Sequence, residues 1–133
     1  MSTVEETVRA YVEAWYTLDE HRRRELVRQC WSENGSYMDP NNTVQGRDAL
    51  VSLIAGFHQS SPGARIPTTS GVDGHHGMLR FSWVLLRPDG TRREGLDIGE
   101  LDDQGLLRRI TGFFGPLPPV PDDWSAELVD RSQ

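Results

Sequence analysis

The sequence predicts an α+β fold in which three helices precede a run of strands. Two observations carry this. Apolar residues recur at helical spacing as far as Gln59 and then switch to alternation. Beyond that point Pro88-Asp89-Gly90 and Asp102-Asp103-Gln104-Gly105 act as turn signals between segments of strand length. Helices gathered ahead of an antiparallel meander pack on one face of the sheet.

The first helix is read from Val4, Val8, Tyr11, Val12 and Trp15, which share one face, with Thr3 and Glu6 at capping-box spacing. Asp19 is placed to cap a second helix whose apolar side is Leu26, Val27, Cys30 and Trp31. Asn34-Gly35 reads as a stop, and Ser36 to Asp39 as a short strand ended by Pro40. Gly46 introduces a third helix over 47–59, with Leu50, Leu53, Ile54 and Phe57 on one side. Strands are predicted over 65–72, 78–87, 91–101 and 106–114. In the second of these, Leu79, Phe81, Trp83 and Leu85 alternate with Arg80, Ser82 and Val84, giving one buried face. One domain over 1–115 is expected, followed by a proline-rich tail over 116–133 that forms a strap or is disordered, with Trp124 as its anchor.

Composition excludes several chemistries. All 14 basic residues are arginine, so no lysine is present to form a Schiff base or to hold a phosphate in a Walker-type loop. A net charge of −6 with scattered arginines argues against nucleic acid as a partner. Cys30 is the only cysteine, which excludes an intramolecular disulfide or a thiolate metal cluster. No leader and no membrane-length apolar run is visible, so a cytoplasmic protein without membrane association is expected.

Three polar residues stand where a sheet closed by helices would leave a cavity. Asp39, at a strand end, is either a general base raised by desolvation or a turn-starting aspartate before proline. Asp97 lies mid-strand, where aspartate is disfavoured. It is either solvent-facing or a buried acid, with Gly95 and Gly99 leaving room for a ligand beside it. Tyr11, on the apolar face of the first helix, is either core or a hydrogen-bond donor to a substrate oxygen. His75 and His76, adjacent on a strand, should point to opposite faces and not share a metal ion. His21 and His58 read as surface residues, and Cys30 as a buried helix residue.

Ala10-Tyr11-Val12-Glu13, Tyr37-Met38-Asp39-Pro40, Gly46-Arg47-Asp48-Ala49-Leu50, Leu96-Asp97-Ile98 and Gly112-Phe113-Phe114-Gly115 together resemble the nuclear transport factor 2-like superfamily over about Val4 to Gly115. That superfamily includes ketosteroid isomerases, SnoaL-type cyclases and non-catalytic binding domains. The resemblance implies a cone-shaped, curved, mixed sheet closed by three N-terminal helices, a cystatin-like α+β barrel. It places Asp39 on the isomerases' general base, Tyr11 on their oxyanion tyrosine and Asp97 on their neutral hydrogen-bond-donating acid. Ile54 replaces the tyrosine that braces the oxyanion tyrosine, and Gly95 breaks the Arg-x-Asp motif of the epoxide hydrolases. The implied reaction is a cofactor-independent, metal-free isomerisation or cyclisation of a small apolar carbonyl compound. Pocket walls are expected from Trp15, Tyr37, Leu53, Phe57, Phe81, Trp83 and Phe114. A neutral or weakly polar ligand and a homodimer are expected; the alternative is a ligand-binding or dimerisation module without chemistry.

Overall fold

The computed structural model describes residues 3–130 and Ser132. Its helices are α1 (Val4–Tyr16), α2 (Glu20–Cys30) and α3 (Arg47–Ser60). The strands are β1 (Trp31–Asp39), β2 (Asn42–Gln45), β3 (Asp73–His75), β4 (Met78–Leu86), β5 (Arg92–Leu101) and β6 (Leu107–Phe114).

The helix starts follow from local chemistry. The Thr3 hydroxyl accepts the Glu6 N–H while the Glu6 carboxylate accepts the Thr3 N–H, both at 3.1 Å. Asp19 accepts the Arg22 N–H at 2.9 Å. Each cap satisfies backbone donors that a helix start leaves open, worth about 1 kcal/mol. Gly46 holds φ at 97°, a conformation glycine adopts without steric cost, and so turns the chain from β2 into α3.

All six strands form one sheet in the order β2-β1-β6-β5-β4-β3. Neighbours are antiparallel except for the parallel pair β1 and β6. The α+β class and the three helices hold, but the closed cone or barrel does not. The edges are β2, hydrogen-bonded only to β1, and β3, hydrogen-bonded only to β4. They are four and three residues long, and no ladder joins them, so the sheet is open.

Three local expectations also change. Asn34-Gly35 does not stop a helix, because β1 begins at Trp31 and runs through both residues. The glycine serves a close contact instead: a β-carbon on Gly35 would sit 2.5 Å from Trp31 Nε1. Residues 65–72 form no strand; they touch the sheet through two bridges, Arg65 with Leu86 and Thr68 with Trp83. Pro67 accepts from the Val84 N–H but has no N–H of its own to extend a ladder. The β1–β2 hairpin carries too little apolar alternation, with only Val44 in β2, to be read in advance.

The core lies between the helices and one sheet face. Tyr11 and Ala14 of α1, Leu26 and Cys30 of α2, and Leu50 and Ile54 of α3 pack against Trp31, Phe81, Leu107 and Ile110. After Gly115 the chain leaves this core. Trp124 is 54% exposed, so it is not the anchor the sequence suggests. Among the described residues no helix is long and apolar enough to cross a membrane.

Candidate active site

A cavity of about 480 Å³ opens between α1, α3 and the inner face of the sheet. All seven expected wall residues, Trp15, Tyr37, Leu53, Phe57, Phe81, Trp83 and Phe114, line it. So do Tyr11, Asp39 and Asp97. Strand parity explains the convergence. Phe81 and Trp83 of β4 lie opposite Asp97 and Gly95 of β5, and Asp97 lies opposite Gly112 of β6. All of these face inward.

Asp97 is 6% exposed, which excludes the solvent-facing reading. The flanking glycines do not leave ligand space, however. A β-carbon on Gly95 would overlap the Trp83 indole at 2.0 Å, and one on Gly99 would meet Leu79 at 2.8 Å. Gly95 lets the Trp83 ring cross β5 and donate from Nε1 to Asp97 Oδ1 at 3.0 Å. Room beside the carboxyl comes from Gly112, which carries no side chain between Asp97 and Asp39. Burial raises the Asp97 pKa to about 7, with the Trp83 bond opposing and the Asp39 charge adding.

Asp39 shows the turn reading, and it also lines the cavity. Its Oδ1 accepts the Asn41 N–H at 2.8 Å, closing the turn before β2. Its Oδ2 accepts the Tyr37 hydroxyl at 2.6 Å, and the Asn42 side-chain amide donates to both oxygens. Burial, and then the bond to Asp39, drive the Tyr37 hydroxyl far above the usual tyrosine range.

Tyr11 is 2% exposed and stacks on Trp31 with ring centroids 5.7 Å apart. Among the described residues its hydroxyl and the neighbouring Trp15 Nε1 make no hydrogen bond of good geometry, although the Trp15 side chain is close enough to lower the Tyr11 pKa against burial. Ile54, fully buried where a bracing tyrosine would stand, offers no hydrogen bond. Burial raises Tyr11 well above the usual range, and the Asp97 charge raises it further. Two buried donors thus sit in the cavity wall, their polar atoms covered and bonded by nothing firmer than each other.

The sequence did not single out the Trp15 N–H as a donor. It also missed Arg87 and Arg93 at the cavity mouth, although both continue inward-facing alternations: Phe81, Trp83, Leu85, Arg87 and Arg93, Gly95, Asp97. The other singled-out residues lie elsewhere. His58 is half-buried, not a plain surface residue, and its Nε2 lies 2.7 Å from the Trp15 carbonyl. His75 and His76 do meet, with Nδ1 atoms 3.1 Å apart, because His76 leaves the strand at φ 52°. Among the described residues no group of three potential ligands could hold a metal. Cys30 is buried, and its thiol is pushed up to about 12, so it is no nucleophile.

Residues 8–111 match the SnoaL-like domain family. A SnoaL-like family protein from Agrobacterium tumefaciens, named as a candidate isomerase, is 34% identical and superposes with a TM-score of 0.79, covering 86% of this chain and all of that one. A protein of cystatin-like fold from Methylobium petroleophilum shares 14% identity, with a TM-score of 0.71 and coverage of 91% and 81%. A nuclear transport factor 2-like protein from an Exiguobacterium species shares 15%, with a TM-score of 0.69 and coverage of 84% and 99%. No curated protein sequence matches.

Proposed function

Because the chain belongs to the SnoaL-like family of the nuclear transport factor 2-like superfamily, we propose that it is a cofactor-independent acid–base enzyme. Its substrate is a small, largely apolar carbonyl compound, which it isomerises or cyclises. One observation carries this reading. Asp97, buried and with its pKa raised to about 7, faces Asp39 across Gly112, within electrostatic reach of the buried Tyr11 hydroxyl. Two carboxyls in contrasting surroundings at one cavity are the arrangement that divides proton acceptor from proton donor.

In this reading Asp39 takes a proton from the carbon next to the carbonyl. Tyr11 and protonated Asp97 donate hydrogen bonds to the oxygen as it gains negative charge, and Trp15 Nε1 supplies a third donor. Such donors, fixed in a dry site, stabilise the developing charge without reorganising. The proton then returns from Asp39 to another carbon, completing an isomerisation. Alternatively, the enolate carbon attacks an electrophilic carbon of the same molecule, closing a ring. The aromatic walls hold the apolar body and exclude water.

The test follows deuterium exchange at the carbon next to the carbonyl, for a panel of apolar cyclic ketones in D2O, by NMR. The protein should accelerate exchange, and Asp39→Asn should slow it by at least about 100-fold. A bound ketone that exchanges no faster than in buffer would sink the assignment. The second reading, a binding module, draws on Asp39, whose oxygens are already engaged by Tyr37, Asn41 and Asn42. We also propose a homodimer, supported by Met38 and Phe113, 50% and 53% exposed on the sheet face away from the helices. Sedimentation of the wild type and of Phe113→Glu tests this.

A further inference from the structure

The cavity wall runs from buried to exposed polar groups. Tyr11 and Asp97 line it as buried residues, and Arg87 and Arg93 line it as exposed ones, at its solvent edge. Both arginines sit where the apolar inner face of the sheet would otherwise continue. Arg93 lies opposite Leu85 in the β4–β5 ladder, and Arg87 follows Leu85 on the same face. The Arg87 N–H bonds the Thr91 carbonyl, at 3.1 Å, which continues the strand pairing one residue past Leu86 and Arg92.

Neither guanidinium is held in an ion pair among the described residues, whereas Arg22, Arg24, Arg80, Arg108 and Arg109 form ion pairs. Asp89, the acid within electrostatic reach of Arg87, already accepts the Thr91 N–H and hydroxyl, at 2.9 and 2.7 Å. The Arg93 guanidinium lies over the Phe114 ring, 4.9 Å from its centroid. Stacking of this kind fixes a guanidinium while leaving its in-plane N–H groups free for a carboxylate. Phe114 in turn meets Trp83 edge-on at 5.9 Å, and Trp83 bonds Asp97. One continuous wall therefore runs from the arginines to the buried acid. Three strand residues lie between Arg93 and Asp97, and the four steps span about 13 Å along β5.

We infer that the substrate of this site is an apolar ketone carrying a carboxylate at the end remote from the reacting carbonyl, and that Arg87 and Arg93 bind that carboxylate. This rests on the proposed function only for the ketone end. It replaces the neutral ligand expected from composition. The charge at the mouth sets orientation: the anion stays at the solvent edge, and the carbonyl enters towards Tyr11 and Asp97. A neutral ketone would lack this orienting contact.

Calorimetric titration with 9-oxodecanoate, its methyl ester and decanoate separates the two ends. The wild type should bind the keto acid roughly 10- to 100-fold more tightly than the ester. Arg87→Gln/Arg93→Gln should reduce that ratio below about threefold and leave ester affinity unchanged. Equal affinity for acid and ester, no measurable binding of the keto acid, or a ratio that survives in the double variant overturns the inference. Tyr11→Phe addresses the other end. It should abolish the preference for 9-oxodecanoate over decanoate while keeping the acid-to-ester ratio. An intact ratio with no effect of Tyr11→Phe would count against the carbonyl site and leave the arginine site standing.

Discussion

Gly112 lies directly opposite Asp97 in the β5–β6 ladder, and a β-carbon at Gly112 would stand 3.0 Å from Asp97 Oδ1 and 3.5 Å from Asp39 Cβ. Its backbone φ is outside the left-handed region, so glycine is not needed there for conformation. What it provides is space between two carboxyls. Gly112→Ala should therefore fold, with a melting temperature within a few degrees of wild type. It should slow the exchange reaction by about tenfold or more, because small misplacements in a reacting geometry are costly. Full exchange activity in a folded Gly112→Ala protein would show that the gap has no role.

Asp97 should make stability fall as pH rises. Its folded pKa, about 7, lies above the ordinary aspartate value of 3.8, so the folded state holds the proton more tightly. Its contribution is fully present below about pH 4 and is lost as pH rises to about 7, after which it levels off. At about 1.4 kcal/mol per pH unit the span is on the order of 4 kcal/mol. Other groups titrate too, so the measurement is a difference: chemical denaturation of wild type and Asp97→Asn from pH 4 to 8. The variant should gain on the wild type across that window. A pH-independent difference would mean that Asp97 is ionised throughout.

Tyr11 offers a case where removing a functional group should stabilise the free protein. Its hydroxyl is buried and makes no hydrogen bond of good geometry among the described residues, with the Trp15 side chain close by. An unmet group of this kind costs about 1–3 kcal/mol. Tyr11→Phe keeps the stack on Trp31 and the edge contact with Phe81, at 5.7 and 6.4 Å. The melting temperature should rise, by several degrees for a chain of this size. A fall would show that the hydroxyl stabilises the ligand-free state.

Much of this was legible in the sequence because the signals are local. The Thr3–Glu6 box and the Asp19 cap mark helix starts through residues three apart. Of the wall residues, Phe81 and Trp83 followed from alternation in β4. The open sheet was not legible, because closure depends on whether β2 and β3 pair, and neither has enough residues to announce a partner. The role of Gly95 was misread for a related reason. Its missing side chain looks like ligand space along β5, but the neighbouring strand fills it with Trp83, a contact that only the register defines. Arg87 and Arg93 were hidden because a charged residue at a strand end reads as solvent-facing until parity places it on the inner face.

Gly35 and Trp31 supply the sharpest test of such a contact. Trp31 is fully buried at the start of β1, and its indole lies against the Gly35 backbone, with Nε1, Cε2 and Cδ1 all within 2.9 Å of where a β-carbon would be. The strand loses regular register against β6 between Trp31 and Ser36, the stretch the ring folds over. Gly35→Ala must therefore displace a large ring that also supports Tyr11. Overpacking of this kind costs about 1–3 kcal/mol. Gly35→Ala should lower stability by that amount in denaturant titrations and perturb the ring signals of Tyr11. Exposed Gly71, where a β-carbon meets nothing within 4 Å, is the control and should accept alanine with little change. Equal effects at the two positions would mean that general backbone propensity, not the indole contact, sets the cost at Gly35.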